Sequence, residues 1–283
     1  MVLHGRNCFM KKLTKHLIKS LLKPRQESSN KGTYGHALIV AGTKKRMGCA
    51  IIAAKACLRS GTGLLTVNVP QNERFTLQTS IPEAMLVMRE EKDDALHNYS
   101  ALGIGPGIGT DKNAEQNLIH FITAFKNSIV LDADALNIIA SNKKLLSKIP
   151  KKSIITPHPK EFDRLFGKHK NIEERINTAI KKAKELDIVI VLKGHKTIVT
   201  FVGKTFINTT GNAGLAKGGS GDALTGIITA FLAQGHEPFN AAKQGIYLHG
   251  LAADIALKNQ SMESMLITDV IESLGQAFKH VMK

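Results

Sequence analysis

Asn208-Thr-Thr-Gly-Asn-Ala-Gly-Leu-Ala-Lys-Gly-Gly-Ser-Gly-Asp222 runs straight into Ala223-Leu-Thr-Gly-Ile-Ile-Thr-Ala-Phe-Leu232. Gly218, Gly219 and Gly221 free the backbone for a turn that side chains would obstruct. The apolar run that follows predicts a buried helix, so unpaired backbone N–H groups and the positive end of its dipole face the loop. Such a terminus holds an anion, and a phosphoryl group suits it best. Asp222 then puts a carboxylate where the anion would sit. A base that takes the proton from a hydroxyl attacking the bound phosphoryl group would account for it. The bland alternative is a glycine-rich turn whose aspartate favours the dipole and does nothing more.

Outward from this unit, apolar β-rich runs at 36–42, 64–69, 84–88, 101–105, 128–132, 153–156 and 188–193 alternate with helical patterns at 49–59, 112–125 and 172–186. Near-continuous apolar strands separated by helices predict a parallel sheet covered on both faces, an α/β fold. Segments 196–201 and 204–208, joined around Gly203, read as a hairpin added to the sheet edge, and 222–234, 240–258 and 267–281 as closing helices. We read residues 31–283 as a single domain preceded by a basic helix or extension over 1–30.

Ligands of such folds gather at the carboxyl ends of the strands, and the candidate residues fall there. Ala101-Leu-Gly-Ile-Gly-Pro-Gly-Ile-Gly109 lets backbone approach a ligand closely but lacks the spacing of a dinucleotide fingerprint. Asp132 and Asp134 end the next strand, as ligands of metal-bound water or as helix-capping carboxylates. In Thr156-Pro-His-Pro-Lys-Glu161 the two prolines hold His158 at a fixed point beyond its strand, and Glu161 falls in the first helical turn. Lys193-Gly-His-Lys-Thr197 is a strand–turn–strand that could present Lys193 and Thr197 to phosphate oxygens, or an everyday hairpin.

Composition bounds the rest. The chain has 283 residues, 43% hydrophobic and 22% charged, as in ordinary globular proteins, and no apolar run reaches membrane-span length. Cys8, Cys49 and Cys57 show no CxxC spacing, which suits a reducing cytosol. Residues 1–31 hold eight lysines and arginines against one acid, Glu27, and contribute heavily to the net charge of +16. The apolar stripe Leu13, Leu17 and Leu21 with intervening lysines matches a membrane-surface helix weakly; packing on the domain is the reading favoured here. Without tryptophan the arm offers little for stacking on bases, so neither nucleic acid nor membrane is an expected partner. Met10 is an alternative start, which would make the first nine residues an extension.

Taken in order, these segments resemble the ribokinase-like superfamily, and within it the ADP/ATP-dependent NAD(P)H-hydrate dehydratase family. The resemblance rests on Lys31-Gly-Thr-Tyr-Gly-His-Ala-Leu-Ile-Val-Ala-Gly42, Arg59-Ser-Gly-Thr-Gly63, Gly105-Pro-Gly107, Asp132-Ala-Asp-Ala-Leu-Asn137, Thr156-Pro-His-Pro-Lys-Glu161, Lys193-Gly194 with Thr197, the Thr210-to-Asp222 loop and Tyr247-Leu-His-Gly250. It implies a three-layer α/β/α sandwich. It also implies repair of hydrated NADH or NADPH: the C6 hydroxyl is phosphorylated by ADP or ATP and phosphate is eliminated, giving back the reduced cofactor. Carried over residue by residue, Asp222 is the catalytic base and Gly219, Ser220 and Gly221 form the anion hole. Lys193, Gly194, His195, Lys196, Thr197 and Gly221 take the nucleotide, with Cys49, Gly107, His158 and Asp222 on the hydrated cofactor. Mg²⁺ is expected on the phosphates, with Asp132 or Glu161 reaching it through water. A tetramer and a separate epimerase are further implications. Lys160 departs from the glycine usual in the family, and Cys49 from a more common alanine. The rivals are a vitamin-precursor kinase of the same superfamily and a basic nucleic-acid- or membrane-binding protein.

Overall fold

A computed structural model describes residues 10–91 and 95–283; the first nine residues, with Cys8 and the expected extension, lie outside them. The chain runs β1 (Lys11–Lys12), α1 (Lys15–Leu21), β2 (His36–Val40), α2 (Met47–Arg59), β3 (Leu64–Val69), α3 (Arg74–Ser80), β4 (Met85–Met88), β5 (Ala101–Ile104) and α4 (Lys112–Ala124). It continues through β6 (Ile129–Leu131), α5 (Ala133–Ser141), β7 (Ile154–Ile155), α6 (Pro159–Phe166), α7 (Ile172–Leu186), β8 (Val189–Leu192), β9 (Ile198–Phe201) and β10 (Lys204–Ile207). Four helices close it: α8 (Ser220–Ala233), α9 (Pro238–Ala256), α10 (Ile267–Glu272) and α11 (Leu274–Met282).

One sheet results, in the order β1-β10-β9-β8-β7-β6-β5-β2-β3-β4. Every neighbouring pair is parallel except the two that involve β9. Strand side chains alternate between two cores: Ala37 and Ile39 of β2 face one, Leu38 and Val40 the other, and β8 repeats this with Val189 and Val191 against Ile190 and Leu192. Both faces of each strand are therefore apolar, which is why these runs carry no polar alternation. Helices α1–α3 and α8–α11 cover one face and α4–α7 the other. This is the expected three-layer sandwich. Ala223 to Ala233 of α8 are all buried, so the helix that follows the glycine loop lies in the core.

Two boundaries differ from the sequence reading. The helix expected over 267–281 breaks at Ser273, whose hydroxyl donates back to Asp269 O at 2.8 Å and competes with the helical ladder. The β9–β10 hairpin turns through Val202 and Gly203, both at positive φ (43° and 76°), and does not form the sheet edge, because β1 pairs outside it. The basic segment is thus strand and helix in succession. Lys11 and Lys12 pair in register with Phe206 and Ile207, Thr14 caps α1 by accepting from Leu17 N–H at 3.2 Å, and Leu13 and Ile18 are fully buried. Arg25 stacks on Tyr34 at 3.9 Å and donates to Gly61 O. No helix among the described residues is long and apolar enough to cross a membrane.

Because Ile18 is buried to completion, Ile18→Ala should destabilise the protein by about 2–5 kcal/mol in urea unfolding. A loss under about 1 kcal/mol would contradict a structural role for this segment.

Candidate active site

The strand ends of β6 and β8 converge on the N-terminus of α8. Lys193, just past β8, donates from Nζ to Asp132 Oδ1 at 2.7 Å, and Thr225 of α8 donates to Asp132 Oδ2 at 3.1 Å. Asp132 is buried and occupies the N-cap position of α5 without making a side-chain capping bond, so capping is not what its carboxylate does. Ala133 follows at φ 49°, a left-handed conformation that costs a residue with a Cβ. Asp134 accepts from Gly109 N–H at 2.9 Å and from Arg46 at 2.8 Å, tying the glycine run after β5 to the β2–α2 connection.

At the glycine loop, Gly219 has φ 91°, and a Cβ there would stand 2.7 Å from Ile52 Cδ1. A Cβ on Gly221 would lie 3.2 Å from both Asp132 Oδ2 and Lys193 Nζ, so bare backbone is what can approach the ion pair. Asp222, one residue on, faces Cys49. A Cβ on Gly107 would meet the Cys49 Sγ at 3.1 Å, which places Cys49, Gly107 and Asp222 in one cluster. Burial raises the Asp222 pKa to about 6; the Cys49 thiol, interacting as a donor, pulls it down, and the Asp132 charge pushes it up. Burial and the nearby Asp222 charge push Cys49 up to about 12, so it stays a thiol. Cys57 is fully buried and its thiol is pushed up by burial alone.

A second group lines a cavity of about 600 Å³ on the other flank of the α8 terminus: His158, Lys193, Gly194, His195, Thr197, Ser220 and Gly221. Lys196 is exposed and outside this lining. The Thr197 hydroxyl donates to Gly194 O at 3.2 Å and closes the turn. His158 caps α6: its Nδ1 accepts from Lys160 N–H at 3.1 Å and Glu161 N–H at 3.4 Å, while Glu161 Oε2 accepts from His158 N–H at 2.8 Å. Burial lowers the His158 pKa, Glu161 opposing and Lys193 assisting, so the ring is neutral and its Nε2 carries the proton. Lys160 is exposed. His158 therefore shares its cavity with the 193–197 turn, although the resemblance assigns the turn to the nucleotide and His158 to the hydrated cofactor.

Several contributors went unassigned in the sequence. Asp254 of α9 pins the loop by accepting from Gly211 N–H at 2.9 Å and Asn212 Nδ2 at 3.0 Å. Thr225 and Asp254 each break an apolar helix with a polar residue, which was the available signal; Arg46 had none.

Comparison with known proteins shows the family. A family model described as NAD(P)H-hydrate dehydratase matches residues 37–276. The chain is 34% identical over 273 residues to the ADP-dependent (S)-NAD(P)H-hydrate dehydratase of Bacillus subtilis, covering 94% of this chain and 97% of that protein. It is 35% identical to the bifunctional NAD(P)H-hydrate repair enzyme Nnr of Moorella thermoacetica, of which it spans 54%. The crystal structure of the Bacillus subtilis ADP/ATP-dependent enzyme, co-crystallised with ATP/Mg²⁺, superposes with a TM-score of 0.85 at 31% identity, covering 96% of this chain and 99% of that one. With the model covering most of its length, this chain belongs to the NAD(P)H-hydrate dehydratase family.

Proposed function

We propose that this chain dehydrates hydrated NADH or NADPH at the expense of ADP or ATP, with Asp222 as the catalytic base. The observation that carries the reading is a half-buried carboxylate, its pKa raised to about 6 by burial, in the first turn of a helix that begins Gly219-Ser220-Gly221. The C6 hydroxyl of the substrate is a poor leaving group. Asp222 takes its proton as the oxygen attacks the terminal phosphoryl group, while the N–H groups at Gly219, Ser220 and Gly221 and the Lys193 ammonium receive the charge. The bond to the leaving nucleotide oxygen breaks, giving AMP from ADP or ADP from ATP. The ring nitrogen lone pair then expels phosphate, and the neighbouring C5 proton passes to water, which restores the double bond. Gly107 and Cys49 hold the substrate against Asp222, and His158 reaches it from the cavity side.

Mg²⁺ is bound by a few carboxylates, waters and substrate phosphates more often than by a protein cage. No group of three His, Cys, Asp or Glu side chains forms such a cage among the described residues. Asp132 already accepts from Lys193 and Thr225, and Glu161 from the His158 N–H, so either carboxylate would reach a phosphate-borne ion only through water. The ion would neutralise phosphate charge. A homo-oligomer, by resemblance a tetramer, completes the proposal.

The direct test is incubation with hydrated NADH, Mg²⁺ and either nucleotide. Recovered absorbance of the reduced ring with free phosphate is expected; a stable phosphorylated alcohol would instead identify a kinase. Asp222→Asn should keep nucleotide affinity and lose about 10²–10⁴-fold in turnover, and a loss below roughly tenfold would remove the base assignment.

The acid limb of kcat/KM should lie near pH 6, activity rising with pH as Asp222 ionises. Cys49→Ala, which removes the donor that lowers this pKa, should move the limb to higher pH. A raised carboxylate pKa also means that the folded state binds this proton more tightly than the unfolded one. Its favourable contribution is present at low pH and lost as pH rises through about 6. Asp222→Asn should therefore melt above the wild type at pH 8, with the difference disappearing toward pH 4.

A further inference from the structure

Helix α9 carries a buried polar atom that nothing in the fold satisfies. His249 is 6% exposed, its Nε2 has no hydrogen-bond partner, and the residue lines the 600 Å³ cavity together with Lys193 and the α8 terminus. Burial, with the Lys193 charge assisting, brings its pKa down to about 4, so the ring is neutral at physiological pH, with one N–H and one lone pair. A buried polar atom without a partner is costly and needs a reason. The other polar residues of this wall are already engaged. Asn208 Nδ2 donates to Ile246 O at 3.1 Å, and the Thr210 hydroxyl donates to Tyr247 O at 2.8 Å. Gln244, five residues back on α9, also has both amide atoms unpaired, but it does not line this cavity, so the same argument does not reach it. Leu215, Leu224 and Ile246 supply apolar surface to the same cavity.

We propose that His249 is a nucleoside-recognition residue, its Nε2 hydrogen-bonding the base or ribose of a nucleotide whose phosphates lie at Lys193 and the α8 N-terminus. The inference rests on the nucleotide reading of this cavity given above. His249 takes no part in the proton transfer; it fixes the far end of the nucleotide so that the phosphoryl group meets the Asp222 side of α8.

Calorimetric titration of wild type, His249→Leu and His249→Gln with ADP and with inorganic pyrophosphate, alongside thermal melts, separates the possibilities. His249→Leu should lose at least tenfold in ADP affinity while pyrophosphate affinity stays within twofold. It should melt no lower than the wild type, since an unpaired polar atom has left the interior. His249→Gln, which keeps a polar tip, should recover most of the ADP affinity. ADP affinity within twofold of wild type in His249→Leu would overturn the inference. So would an equal loss of ADP and pyrophosphate with a lowered melting temperature, the mark of a ring that only fills space. A wild type that binds neither ADP nor ATP would remove the nucleotide reading itself, and this inference with it.

Discussion

The ion pair between Lys193 and Asp132 is the contact on which the site depends. One partner ends β8, the other ends β6, and Thr225 of α8 donates to the same carboxylate. Three elements far apart in sequence are thereby fixed within one hydrogen-bond length of each other. Asp132 is 1% exposed, so removing the lysine would strand a charge in a low-dielectric interior, a loss of about 3–5 kcal/mol where such pairs have been broken. The same two charges act on Asp222 with opposite sign, beneath the larger effect of its burial. The charges that act on Asp222 and the bare backbone at Gly221 thus share one anchor.

Two backbone positions near that anchor lie in the left-handed region. Ala133 is held at φ 49° directly after the anchoring aspartate, and Gly219 at φ 91° directly before α8. Each is a conformation that residues with a Cβ rarely adopt, and Ile52 and Ile267 close around Gly219. The apolar sheet and the wholly buried Ala223-to-Ala233 stretch of α8 supply the rigidity that makes this possible.

Much of the architecture was legible because the sheet is buried on both faces. Helix α7 and strand β3 fall where periodicity put them, since a continuous apolar run or a clean amphipathic stripe has a single way to bury itself. The N-terminal strand was not legible: Lys11 and Lys12 carry no strand pattern, and their pairing is imposed by the free edge of β10. In the site, glycine and proline spacing exposed Gly219, Gly221 and His158 because those residues constrain backbone locally. Arg46, Asp254 and the orphaned nitrogen of His249 answer to tertiary neighbours that no local window contains. The role of Asp132 was open in the sequence for the same reason, its partner Lys193 lying 61 positions away.

The two lysines of β1 bear on how the molecule behaves in a crowded solution. They occupy one of the two edge strands of the sheet, and both are exposed. A two-residue strand with a cation at each position offers the next chain few free backbone groups and a repulsive rim, a device that keeps open sheets from templating one another. The basic composition of the arm, which at first suggests a polyanion partner, thus acts at this margin as a guard against fibre-like association. It shields the flank of the sheet next to the β9–β10 hairpin.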